Sequence, residues 1–139
     1  MSGLLVDTGA LVALFDPSDP DHAACARVLA ANRLQLATTV PVLTEAFYML
    51  ESVRHGHERL IRFVQDARAV AVAALPEVSL WRAFALMVEY GGRMDFADAS
   101  LVATAEALRI RTVFTLDRRD FSVYRATFGH KKVRLQVVP

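Results

Sequence analysis

LLVDTGALVALFD (residues 4–16) decides the fold. Its first three residues form an apolar run of strand length. Asp7 and Thr8 are residues that cap helices, and Gly9 to Phe15 resumes an apolar pattern of helical length. A carboxylate therefore stands where a buried strand hands over to a helix. The same alternation continues along the chain. Strands are expected at Gly3 to Val6, Gln35 to Thr38, Val70 to Ala74, Thr112 to Phe114 and Arg134 to Val138. Helical period predicts helices at Gly9 to Phe15, His22 to Ala31, Val40 to Glu51, Glu58 to Ala67, Leu80 to Tyr90 and Ala97 to Leu108. Such alternation implies crossover connections and a mainly parallel sheet covered on both faces, a three-layer α/β/α sandwich.

Punctuation agrees with these limits. Pro41 sits in the first turn after Thr38-Thr39, where its missing N–H costs nothing, and Gly91-Gly92 closes the helix of Trp81. DPSDPD (residues 16–21) is a loop. There is no repeat, low-complexity tract or linker, so residues 1–139 are expected to form one domain. With 54% apolar and 22% charged residues the chain can bury a substantial core. Trp81, Phe84 and Val88 follow helical spacing and are expected in that core.

Several classes are excluded. Cys25 is the single cysteine, which permits neither an internal disulfide nor a cysteine zinc site and suits a reducing compartment. Residues 1–15 lack a basic leader and are interrupted by Asp7, and the longest apolar run is Ala69 to Leu75. A cytoplasmic protein without membrane segments is expected. No GxGxxG or P-loop pattern points to a dinucleotide or nucleoside triphosphate. His55 and His57 in RHGH lack the spacing of a helical metal pair and read as a turn.

In this architecture ligands bind beyond the carboxyl ends of the strands. Asp7 stands there after the first strand, and Asp117 after Val113-Phe114-Thr115-Leu116. Glu45 has Pro41, Val42, Tyr48 and Met49 at its helical neighbour positions, and Asp98 has Leu101, Val102, Met94 and Asp95. Neither has a base one turn away, and a buried acid needs a partner. Each acid also has a structural reading. Asp95 suits an N-cap with Asp98 at the third helical position, Asp117 a turn, and Asp7 a cap. Together, however, acids converging without bases repel by roughly 4 kcal/mol per pair at about 4 Å and an effective dielectric of about 20. A bound cation removes that penalty, and oxygen-only ligands favour Mg²⁺ or Mn²⁺ over zinc.

LLVDTGALVALFD (4–16), the TEAFYML segment holding Glu45, MDFADASLVATAEAL (94–108) and TLDRRDFSVYR (115–125) resemble, in order and spacing, the PIN-domain nucleases, with the best match to VapC-type toxins of toxin–antitoxin pairs. The resemblance implies that Asp7, Glu45, Asp98 and Asp117 form an acidic quartet holding Mg²⁺ or Mn²⁺. It also implies a strand order of 3-2-1-4-5, endoribonuclease activity, a homodimer, and inhibition by a small cognate antitoxin. Asp7 and Asp98 are the first choices for direct ligands, with Glu45 and Asp117 completing the set and orienting water. Thr115 and Thr8 are supporting hydroxyls. Asp95 ranks below the quartet as a contributor through water, and Asp120 as a residue that starts or caps a short turn.

Net charge is +1, yet from Arg109 onward eight basic residues face only Asp117 and Asp120, a local charge of +6. Fourteen of the sixteen basic residues are arginines, which suit bidentate phosphate contacts and base stacking. Arg93, Arg118, Arg119 and Arg125 are the RNA-binding candidates. Two other classes remain open from sequence. One is a non-catalytic RNA- or antitoxin-binding module whose acids only cap helices. The other is an aspartate-based phosphatase or phosphotransfer domain built on Asp7, which would lack the second acid two places on, where Gly9 stands, and a paired lysine.

Overall fold

The central triplet Leu4–Val6 is β1, buried at every residue. In this computed structural model, which describes residues 3–139, β1 is the middle of a five-stranded parallel sheet. Its neighbours are β2 (Leu36–Thr38) on one side and β4 (Thr112–Phe114) on the other, with Leu5 level with Ala37 and Val113. β3 (Val70–Val72) pairs with β2, and β7 (Gln136–Val138) with β4. Only Val70 of β3 is buried, as befits an edge strand.

The order β3-β2-β1-β4-β7 is the expected 3-2-1-4-5 arrangement. The fifth place is held by β7 because an antiparallel hairpin, β5 (Ala126–Phe128) and β6 (Lys131–Val133), intervenes in the chain. That hairpin and the short helix before it, α7 (Arg118–Val123), escaped the sequence reading. The hairpin turns at Gly129, whose φ of 64° is a left-handed conformation that glycine adopts without steric cost.

Helices α1 (Thr8–Phe15), α2 (His22–Ala31), α3 (Val40–Met49), α4 (Gly56–Gln65), α5 (Glu77–Tyr90) and α6 (Phe96–Leu108) occupy the predicted segments. α1 packs on α2, α3 and α4, while α6 packs on α5, α3 and β5. α6 is buried on nearly all sides, from Ala97 through Ala105, so its apolar residues do not form one stripe. Cys25 is fully buried as a packing residue.

α5 corrects one expectation. Its inward stripe is Ser79, Ala83 and Leu86, small enough for close contact with the alanine-rich α6. The bulkier set faces outward: Trp81 is 54% exposed, Phe84 42% and Val88 83%. The helical period was legible, but period alone does not say which face the chain itself covers. Among the described residues, no helix is long and apolar enough to cross a membrane.

Strand order reverses beside β1, between β2-β1 and β1-β4, which opens a crevice at the carboxyl ends of β1 and β4. Backbone pairing continues one residue past both strands. Asp7 N–H donates to the Phe114 carbonyl at 2.9 Å, and Thr115 N–H to the Val138 carbonyl at 2.9 Å. The side chains that follow β1 and β4 are thus held by the sheet itself.

Candidate metal centre

Asp7 is 6% exposed and sits at the N-terminus of α1, where one carboxylate oxygen accepts the Thr8 N–H at 2.7 Å. Its other oxygen accepts the Thr115 hydroxyl, also at 2.7 Å. Thr115 Oγ1 in turn accepts the Asp117 N–H at 2.9 Å, so one hydroxyl links the acids after β1 and β4. The Thr8 hydroxyl donates to Glu45 Oε2 at 3.1 Å, drawing α3 onto the start of α1. The two predicted supporting hydroxyls therefore each touch a predicted acid.

α6 is set by its own cap. Asp95 accepts the Asp98 N–H at 2.8 Å, as the capping reading anticipated. Ser100 donates to the Ala97 carbonyl, which leaves it to accept from the Thr39 hydroxyl at 2.6 Å. That contact pins the start of α3 to α6 and sets Glu45 relative to Asp98. Asp117 caps α7 by accepting the Asp120 N–H at 3.0 Å. Asp117 is thus the cap of this turn, and Asp120 lies in the first turn that follows it.

Asp98, Asp117 and Asp120 each place a carboxylate oxygen within 4.8 Å of the others. Asp7 reaches this group through Thr115, and Glu45 reaches Asp7 through Thr8. Asp120 thus stands nearer Asp98 and Asp117 than its low sequence ranking implied. Arg93 Nε lies 3.8 Å from Asp120 Oδ1.

The electrostatics follow from burial among like charges. Burial pushes the Asp7 carboxyl up from 3.8 to about 6. The Thr115 and Thr8 hydrogen bonds oppose the shift, and the charges of Asp95 and Asp117 add to it. Burial raises Asp98 from 3.8 to about 8, reinforced by Asp7, Asp95 and Asp117 and opposed by the Tyr124 hydroxyl. Glu45 is raised by partial burial and by Asp95, against its bond from Thr8. Asp95 acts on all three, so its charge belongs to the site although its side chain serves as a cap. Asp120 is raised by desolvation and by Asp117. Among the described residues no lysine or arginine hydrogen-bonds Asp7, Asp98, Glu45 or Asp117. Oxygen donors crowded together, with their charges uncompensated, fit a hard divalent cation.

The arginines separate into two kinds. Arg118 and Arg119 are exposed beside Asp117. Arg118 also lines a cleft of about 480 Å³ with Ser122 and Arg134. Arg125 is turned back on the chain: its Nη1 donates to the carbonyls of Ser122, Val123 and Tyr124 at 2.9–3.0 Å, closing the end of α7. A hollow of about 320 Å³ beside Glu45 is walled by Val40, Pro41, Phe96 and Ala97. A larger one of about 680 Å³, near Asp16, Arg54, His55 and Arg59, contains none of the predicted acids.

Tyr124, buried on the residue run after α7, was not singled out from sequence. Its hydroxyl lies 2.8 Å from Asp98 Oδ2 and 2.8 Å from the Arg93 carbonyl. The spacing of Asp117, Asp120 and Tyr124, at successive turns of one helical face, was the available signal.

A profile of the PIN domain matches residues 4–126. Ribonuclease VapC26 of Mycobacterium tuberculosis is 31% identical over 139 residues, covering 98% of this chain and all of that protein. The crystal structure of Mycobacterium tuberculosis VapC20, described as a sarcin–ricin loop cleaving toxin, superposes with a TM-score of 0.78 at 20% identity. It covers 94% of this chain and 99% of that one. A toxin–antitoxin complex from Klebsiella pneumoniae gives a TM-score of 0.68 at 21% identity with the same coverage.

Proposed function

The chain belongs to the PIN-domain family, and from that premise we propose that it is a divalent-metal-dependent endoribonuclease, the toxin of a toxin–antitoxin pair. The observation that carries this reading is the convergence of Asp7, Asp98 and Asp117 with acids for neighbours and, among the described residues, no base paired with them. Capping alone would account for each acid singly. It does not account for two of them being raised well above the usual carboxylate range, by burial first and by neighbouring acids in addition.

Asp7, Asp98 and Asp117 would hold the cation, with Glu45 and Asp120 at its margin. Mg²⁺ or Mn²⁺ bound there supplies charge neutralisation for the phosphodiester and acidifies water for attack. The protein's own contribution is positional. Thr115 fixes one oxygen of Asp7 and the backbone of Asp117, so the acids after β1 and β4 keep one spacing. Glu45, half-buried and held by Thr8, would orient the attacking water and take its proton. Arg118 and Arg119 offer charge to the flanking phosphates of an RNA strand.

A small antitoxin and a second copy of the chain are the proposed protein partners. The likeness to a toxin–antitoxin complex supports the first. The second is supported by α5, whose outward side presents Val78, Trp81, Phe84 and Val88 in a stripe about 15 Å long. Two of the three charges of α5 are drawn off that stripe, Arg82 to Glu106 and Glu89 to Lys132, and Glu77 stands in the first turn of the helix. An apolar surface so cleared fits a twofold contact with its own copy.

The test is RNA cleavage with and without Mg²⁺. Asp7→Asn and Asp98→Asn should abolish cleavage while keeping the metal-free fold. Wild-type rates in both variants would overturn the assignment.

A further inference from the structure

Tyr124 is a confined polar side chain beside Asp98. It is fully buried, with the rings of Tyr90 and Phe121 packed edge-on at centroid distances of 5.3 and 5.1 Å. The ring therefore has little freedom to move its hydroxyl. That hydroxyl meets two acceptors, Asp98 Oδ2 and the Arg93 carbonyl, each at 2.8 Å. The Arg93 carbonyl belongs to the turn that leads into α6, and Asp98 lies in the first turn of α6. Tyr124 itself follows directly on α7, whose cap is Asp117 and whose first turn carries Asp120. One side chain thus joins the element that bears Asp98 to the element that bears the other two acids of the cluster.

The joint is braced from behind. The Tyr90 hydroxyl accepts the Arg125 N–H at 2.9 Å, and Glu106 of α6 accepts the Thr127 N–H at 2.7 Å while pairing with Arg82. These contacts fasten the α7–β5 segment to α5 and α6. They do not touch the acids. Among the described residues, Tyr124 is the side chain of that segment that hydrogen-bonds Asp98.

Resting on the metal-site reading above, we propose that Tyr124 is a positioning residue for the cation. By offering its one proton to Asp98 Oδ2, with the Arg93 carbonyl as the competing acceptor, it restrains the carboxylate's rotation and leaves the other oxygen, which has no hydrogen-bond partner among the described residues, to face the ion. A carboxylate free to rotate would spend part of its time presenting neither oxygen usefully. A hydroxyl donor also favours the charged carboxylate that binds a cation. Outer partners of this kind change metal affinity without contacting the metal.

The experiment compares wild type with Tyr124→Phe, Tyr90→Phe and Asp98→Asn by Mn²⁺-induced thermal shift, each read against its own metal-free transition. Mg²⁺ dependence of RNA cleavage is measured alongside. Tyr124→Phe keeps the packed ring and should raise the Mn²⁺ midpoint by about 10–100-fold, with cleavage recovering toward wild type at saturating Mg²⁺. Tyr90→Phe removes a hydroxyl of the brace and should lower the metal-free transition without moving the midpoint. An unchanged midpoint in Tyr124→Phe, or equal shifts in both tyrosine variants, overturns the proposal. If Asp98→Asn itself keeps the wild-type Mn²⁺ response, the metal-site reading fails and the proposal with it. Loss in Asp98→Asn with no change in Tyr124→Phe refutes only the role of the tyrosine.

Discussion

Thr115 and Asp7, 108 positions apart, are joined by a 2.7 Å hydrogen bond between a buried hydroxyl and a buried carboxylate. The same hydroxyl accepts the Asp117 N–H. Thr115→Val, nearly isosteric, removes the donor and the acceptor together. Metal-free stability should fall by about 1–3 kcal/mol, the cost of leaving buried polar groups without partners. Urea unfolding measures this, and Thr115→Ser should restore most of the loss.

Acidity gives a second prediction. In the unfolded chain Asp7 and Asp98 titrate near 3.8, whereas in the fold they hold their protons to about 6 and about 8. The folded state therefore binds more protons across that interval. The stability these groups contribute is full below about pH 4 and is lost as pH rises through 6 and then 8. In EDTA the protein should melt at a lower temperature at about pH 8.5 than at about pH 5, with a flatter profile for Asp98→Asn. Mg²⁺ should reverse the loss at the alkaline end, since a ligand of the folded state stabilises it by about 2.7 kcal/mol at about 100 times its dissociation constant.

Arginines offer a contrast within one short segment. Arg118→Ala with Arg119→Ala should weaken binding of single-stranded RNA and flatten its log–log salt dependence by about 0.7 per lost phosphate contact. Arg125→Ala should leave that slope alone and lower thermal stability instead, because its guanidinium is bound to three carbonyls. An unaltered slope in the double variant would make the pair ordinary surface charge.

For the outward stripe of α5, Trp81→Glu places a charge at its centre. Light scattering of the wild type should give twice the chain mass, and the variant should give one chain mass at equal concentration. A wild type that stays a single chain at every concentration removes α5 as a self-contact.

The central strand was legible because a strand covered on both faces leaves an unbroken apolar run, Leu4-Leu5-Val6, whereas the edge strands β3 and β7 showed as short apolar runs although they are largely uncovered. The hairpin was not legible. β6 begins Lys131-Lys132, exposed on both sides, so no alternation marks it, and only Gly129-His130 hinted at a turn. α7 spans six residues, too few for a helical period to show. Among the acids, Asp7 and Asp117 could be placed because each directly follows a strand, and Glu45 and Asp98 because their helical neighbours are apolar. Tyr124 was hidden because a tyrosine near a chain of apolar residues has the same pattern whether its hydroxyl reaches water or a carboxylate. Trp81, Phe84 and Val88 misled for a related reason: a helix side covered by the same chain and one left open carry identical spacing.

The pairing of Thr115 N–H with the Val138 carbonyl has a consequence for synthesis. β7 leaves the ribosome after β4, so the segment carrying Thr115 and Asp117 lacks its outer neighbour until some twenty further residues have emerged. Elongation and the assembly of the acids are thereby ordered in time. Until β7 has been made and has paired with β4, the Thr115 N–H lacks the carbonyl it meets in the finished sheet, and the spacing of the acids waits on that last strand.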